Sequence, residues 1–213
     1  PPSIGLDDSA APLYRWFSDG ALNTSVNALD RHVEAGRGDR VAIYYDSPVT
    51  DSRRAITYTE LRDDVARFAG VLAGLGVGVG DRVLLYLPMI PEAVVAMLAT
   101  ARLGAVHSVV FGGFAPAELA VRIDDALPTV VVSATCGIEG SRVIEYTPLL
   151  REALALATHR PDAVVIKQRP QAAASLVAGD VDWDAAMSTA APHGPVPVGA
   201  TDPLYILYTS GTT

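Results

Sequence analysis

Four short runs, Val83–Leu87, Val106–Val110, Thr129–Ser133 and Ala163–Ile166, are rich in valine, leucine and isoleucine and show no regular polar alternation. Between them lie segments of helical character, Pro91–Leu103, Pro116–Leu127 and Pro148–Ala157. Each carries proline at or near its first position, where a helix has no use for the missing N–H. A strand that is apolar on both sides must be covered on both faces. Helices placed between successive strands give that cover and connect the strands in parallel. The Pro91 segment is apolar nearly all round, as a helix pressed between two layers must be. A further apolar run, Leu204–Tyr208, comes later. The pattern predicts an α/β fold built on a mostly parallel sheet covered by helices.

The flanking segments read differently. Residues 1–40 form a polar, loop-rich entry with a helix near Ser25–Ala35. Val41–Asp46 and Ala55–Tyr58 surround a Ser-Pro turn and predict a hairpin. Thr59 is placed to cap a helix from Glu60 to about Leu75, with Leu61, Val65, Phe68, Leu72 and Leu75 on one face and Gly74 and Gly76 at its end. Residues 168–203 are rich in Ala, Pro and Gly and read as a long connection with one helical turn at Asp182–Met187. The expected division is therefore 1–40 as entry, 41–167 as an α/β subdomain, 168–203 as connection, and 204–213 as a strand opening into a loop.

Composition narrows the partners. Half of the 213 residues are hydrophobic and 19% are charged, enough to bury a sizeable core. The net charge of -8 argues against nucleic acid and against an anionic membrane surface. An anionic ligand must be held by local dipoles and a few placed arginines. Cys136 has no second cysteine to pair with, which fits a cytoplasmic location. Residues 1–8 lack the pattern of a signal peptide, and the long apolar stretch Ala93–Phe111 is interrupted by Arg102, Gly104 and His107.

The strongest local signal is Thr209-Ser210-Gly211-Thr212-Thr213. Hydroxyls and N–H groups after a parallel strand can wrap phosphate oxygens, and the glycine lets the backbone approach. The five residues alone also suit an ordinary Ser/Thr turn. Gly112-Gly113 reads as a turn, and Arg142 as a solvated loop arginine. His107 sits among apolar neighbours as a packing residue. His32, His159 and His193 lack ligand spacing. Cys136 reads as inert, and Asp63-Asp64 and Asp124-Asp125 as solvated helix faces.

Tyr208-Thr-Ser-Gly-Thr-Thr213 resembles the opening of the phosphate loop of adenylate-forming enzymes. Asn23–His32, Arg37–Arg40, Tyr58–Leu61, Gly80–Val83, Pro88–Ala93 and His107–Phe114 are similar to the acetyl/propionyl-CoA synthetase branch. Tyr44–Thr50 and Ser133–Glu139 resemble propionyl-CoA synthetases more than acetyl-CoA synthetases. The resemblance runs from about Trp16 to Thr213 and implies the N-terminal part of the large domain of such an enzyme, with a helical and hairpin entry. It implies ATP, Mg2+ and coenzyme A as cofactors and propionate as substrate, with acetate as the alternative.

By resemblance, Thr209, Ser210, Gly211, Thr212 and Thr213 hold the departing pyrophosphate. Gly112 and Gly113 lie along coenzyme A, and Glu139, Gly140, Ser141 and Arg142 match the segment where an arginine meets its phosphate. Glu139 stands where the acetyl branch tends to carry a basic residue, leaving Arg142 as the anion contact. The family's mobile-domain lysine, its adenine, ribose and magnesium motifs and its acid pocket have no match here, and Lys167 lacks the flanking motif to replace that lysine. The chain is therefore expected to be silent alone, with the C-terminal part of its own chain as a partner. A non-catalytic α/β binding module is a different reading, as is an adenylation domain loading a carrier protein.

Overall fold

Each apolar run of the sequence contains a strand, and in Val83–Leu87, Thr129–Ser133 and Ala163–Ile166 alternate residues go to opposite layers. The computed structural model describes residues 2–209. Its elements begin with a hairpin, β1 (Val41–Ser47) and β2 (Ser52–Thr57), followed by α1 (Tyr58–Gly74). Then come β3 (Arg82–Tyr86), α2 (Pro91–Arg102), β4 (Val106–Val109), α3 (Pro116–Ala126) and β5 (Val130–Ala134). A second hairpin, β6 (Cys136–Glu139) and β7 (Arg142–Glu145), leads into α4 (Tyr146–Leu156). The chain continues through β8 (Ala163–Lys167), β9 (Asp180–Asp182), α5 (Trp183–Thr189) and β10 (Tyr205–Ile206).

Six strands form one sheet in the order β9-β8-β5-β3-β4-β10, every neighbouring pair parallel. On one face Val83, Leu85, Val130, Val132 and Val165 pack with Phe68 and Leu72 of α1, Ala96 and Ala99 of α2, and Trp183 of α5. On the other, Leu84, Tyr86, Val131, Val164 and Ile166 pack with Leu119 and Ile123 of α3 and Leu150 and Ala153 of α4. Both registers of β3, β5 and β8 are buried, which is why no polar alternation was possible there. Phe68 and Trp183 stack with ring centroids 3.8 Å apart.

Local chemistry sets the ends. Thr57 caps α1, not Thr59: its Oγ1 accepts from Glu60 N at 3.2 Å while Glu60 Oε2 accepts from Thr57 N at 2.7 Å. This reciprocal capping box places the first helical residue at Tyr58. The helix expected near residues 25–35 is wound with wider, π-type turns over Val26–Asp30 and Val33–Arg37. The Pro148 helix begins earlier, at Tyr146.

Segment 168–203, read as a connection, contributes edge strand β9 and helix α5 as well. Short antiparallel pairings join Leu6–Asp7 to Arg15–Trp16 and Ala21–Leu22 to Val198–Gly199. No helix among the described residues is long and apolar enough to cross a membrane.

Candidate functional site

Strand order fixes where ligands can reach the sheet. From β3 the chain passes through α2 to β4 on one side, then through α3 to β5 on the other side of β3. The two helices lie on opposite faces. A crevice therefore opens beyond the carboxyl ends of β3 and β4, the switch point at which open α/β sheets bind ligands. The segments singled out in the sequence leave the sheet at this edge: Gly112-Gly113 after β4, Glu139–Arg142 after β5, and Thr209 after β10.

Tyr146 organises the centre. Its side chain is buried at the start of α4, and its ring lies 4.7 Å from that of Tyr86 at the end of β3. Gly112 and Gly137 both border it: an added Cβ would meet the Tyr146 ring carbon Cζ at 3.0 Å from Gly112 and at 2.6 Å from Gly137. Burial, reinforced by Tyr86 and Glu139, pushes the Tyr146 hydroxyl up to about 12, so it keeps its proton at neutral pH. Tyr86 Oη donates to the carbonyl of Phe114 at 3.3 Å and anchors the turn that holds the glycine pair.

Gly113 has φ +108, a conformation that suits glycine, and a Cβ there would stand 3.0 Å from Glu139 Oε1. The Gly-Gly turn and the β6–β7 hairpin thus touch. In that hairpin Glu139 and Arg142 are register partners, joined by Gly140 and Ser141, and all four residues are exposed. Arg142 has no ion pair among the described residues, which leaves its guanidinium fork open to an incoming anion. Hairpin and strand ends are tied together by Arg169, whose N donates to Thr135 Oγ1 and whose Nη1 donates to Cys136 O, both at 2.9 Å.

Thr209 is exposed directly after Tyr208, and Tyr208 Oη donates to Asp125 Oδ2 at 2.5 Å. Asp125 is exposed, as a solvated helix face should be, and it anchors Tyr208 as well. Asp124 accepts from the backbone N of both Thr158 and His159 at 2.8 Å. Ser210, Gly211, Thr212 and Thr213 lie outside the described residues.

Residue-type reasoning missed Tyr86, Tyr146, Arg122 and Asp125. Glu118, Arg122 and Asp125 recur at helical spacing on one face of α3, which was the available signal. A cavity of 460 Å³ lies elsewhere, lined by Arg54, Leu61, Asp64, Arg67, Trp183 and others. Lys167, on its rim, is held by Asp184 at 2.6 Å and Glu92 at 3.7 Å. The glycine turn and the hairpin together present an exposed edge that carries Arg142, unpaired among the described residues. Among the described residues, no group of three or more His, Cys, Asp and Glu could hold a metal ion.

The family model described as AMP-binding enzyme matches residues 29–213. The mouse (Mus musculus) acyl-CoA synthetase short-chain family member 3, mitochondrial, is 53% identical over 98% of the chain and 31% of its own length. The acetyl-coenzyme A synthetase of Streptomyces avermitilis is 47% identical over 100% of the chain and 32% of its own length. Among solved structures, acetoacetyl-CoA synthetase from Streptomyces lividans superposes with a TM-score of 0.85 at 32% identity, over 100% of the chain and 32% of its own. The chain spans about a third of the length of these relatives.

Proposed function

This chain belongs to the AMP-binding enzyme family, and we propose that it forms the coenzyme A-facing and polyphosphate-facing edge of a short-chain acyl-CoA synthetase that uses propionate. The observation that carries this reading is the contact of the Gly112-Gly113 turn with the Glu139–Arg142 hairpin at the switch-point edge. The similarity to the mouse short-chain synthetase over nearly the whole chain supports it.

In the proposed reaction the acid's carboxylate oxygen attacks the α-phosphorus of ATP, the bond to the β-phosphate oxygen breaks, and pyrophosphate leaves. The thiol sulfur of coenzyme A then attacks the acyl carbon, loses its proton, and AMP departs. Mg2+ would neutralise charge on the phosphates in the first step. Thr209 and the residues after it would donate to phosphate oxygens as charge develops there. The Gly112-Gly113 turn, seated on Tyr146 and Glu139, would lie along the coenzyme A nucleotide, and Arg142 would fork its phosphate. With a net charge of -8, this chain's own field does not attract these anions, so the work falls to such local donors. Cytoplasm remains the proposed location.

Acetate is the second reading, favoured by the 47% identity to an acetyl-coenzyme A synthetase. The test is AMP formation by the chain expressed over its whole reading frame, with ATP, coenzyme A and either acid. Propionate should give the higher kcat/KM. Equal values for the two acids sink the propionate assignment, and no acyl-CoA from either sinks the synthetase.

A further inference from the structure

We propose that Arg122 and Asp125, on one face of α3, are positioning residues for the polyphosphate loop: they hold Tyr208 and so set the direction in which the chain leaves β10. This deepens the reading above and rests on it for its catalytic consequence.

The physical need comes from β10 itself. Among the described residues it is a strand of two residues at the sheet edge, paired with His107 and Ser108 of β4. Leu207, the next residue, is 68% exposed. So short a ladder constrains the chain beyond it only weakly, and Tyr208 is the next point of attachment. Its hydroxyl donates to Asp125 Oδ2 at 2.5 Å, and its ring lies 5.1 Å from the guanidinium carbon of Arg122. The same guanidinium stands 4.9 Å from the ring of Phe114 and pairs with Glu118 at 2.9 Å.

Arg122 thus sits against two aromatic rings, one from each proposed ligand segment. Phe114 directly follows Gly113, and Tyr208 directly precedes Thr209. A planar cation against two ring faces is attracted to both. Burial and the Asp125 carboxylate push the Tyr208 hydroxyl up to about 12, so this hydrogen bond persists across the working pH range. Donors aimed in advance at developing charge need no reorganisation during reaction, and fixing the residue before Thr209 serves that end.

The test uses the chain expressed over its whole reading frame, with Tyr208→Phe, Asp125→Ala, Arg122→Met and the Tyr208→Phe/Asp125→Ala pair. Arg122→Met should lower kcat, and kcat/KM for ATP with it, roughly tenfold and Tyr208→Phe roughly threefold, with KM for the acid unmoved. Because Tyr208 and Asp125 act through one hydrogen bond, the double variant should be no worse than the poorer single one. Amide exchange at Tyr208 and Thr209 should quicken at least about fivefold in Asp125→Ala. Additive losses, a rise in KM for the acid, or unchanged exchange would each overturn the positioning role. Should the unaltered protein form no adenylate, the proposed function fails, and the exchange result alone then decides whether α3 directs the loop.

Discussion

The ring of Tyr146 fills the space that a side chain on Gly112 would need: a Cβ there would fall 3.0 Å from Tyr146 Cζ and closer still to the hydroxyl. Tyr146 is 3% exposed and backed by Tyr86, so it has nowhere to retreat. Gly112→Ala should therefore cost about 1–3 kcal/mol as overpacking, read from the urea midpoint. Tyr146→Phe in the same background should recover part of the loss, since the hydroxyl is the nearest atom. No recovery would show that the clash lies elsewhere.

Gly70 makes a sharper case. A Cβ on this residue of α1 would overlap the carbonyl oxygen of Ala191, in a segment held to the helix by His193 N donating to Ala66 O at 2.8 Å. Backbone cannot rotate away as a side chain can. Gly70→Ala should cost about 3 kcal/mol. Gly74→Ala, in the same helix with nothing within 4 Å, should be neutral or slightly stabilising. Calorimetry of the two variants side by side separates steric cost from helix propensity.

Arg102 is 5% exposed and forked onto Asp30, with Nη1 to Oδ2 at 2.8 Å and Nη2 to Oδ1 at 3.1 Å. Asp30→Ala leaves a buried cation without its counter-charge and should destabilise by about 3–5 kcal/mol. Adding Arg102→Met removes that stranded charge. The double variant should be more stable than Asp30→Ala alone by denaturant titration.

His107 gives the fold a pH dependence. Burial lowers its imidazole from 6.5 to about 4, and its Nδ1 has no hydrogen-bond partner among the described residues. Between those values the unfolded chain binds the proton that the folded chain refuses. Stability should fall as pH drops from about 6.5 towards 4, by up to about 3 kcal/mol from this group, and be level above that window. Urea midpoints of the protein and of His107→Gln across that range should diverge only at the acid end.

On the proposed reading, Arg142→Ala removes a charge-assisted contact to coenzyme A. KM for coenzyme A should rise roughly tenfold, while ATP–pyrophosphate exchange driven by the acid stays unchanged. A fall in the exchange rate would place Arg142 in the first half-reaction instead.

The central strands were legible because burial on both faces leaves a one-dimensional trace. Ala163–Ile166 contains nothing polar and Val83–Leu87 only the Tyr86 hydroxyl, and Pro91 and Pro116 mark helix starts. The turn at Gly112-Gly113 was legible for a similarly local reason. Strand β9 was not: Asp180-Val-Asp182 carries two carboxylates and lies at the sheet edge, where Asp180 pairs with Arg151. Nor could the cap be read between Thr57 and Thr59. Only the reach of Glu60 back to Thr57 N, after the hairpin has brought the chain in, settles it.

Sequence alone determined the layers of this protein, because hydrophobic periodicity records which residues must leave water. Tertiary structure alone decided the site. Asp125 meets Tyr208 across 83 residues, and Gly112, Gly137 and Tyr146 converge only because β3 lies between β4 and β5. Strand order is a property of long-range pairing, which no local pattern of residues records.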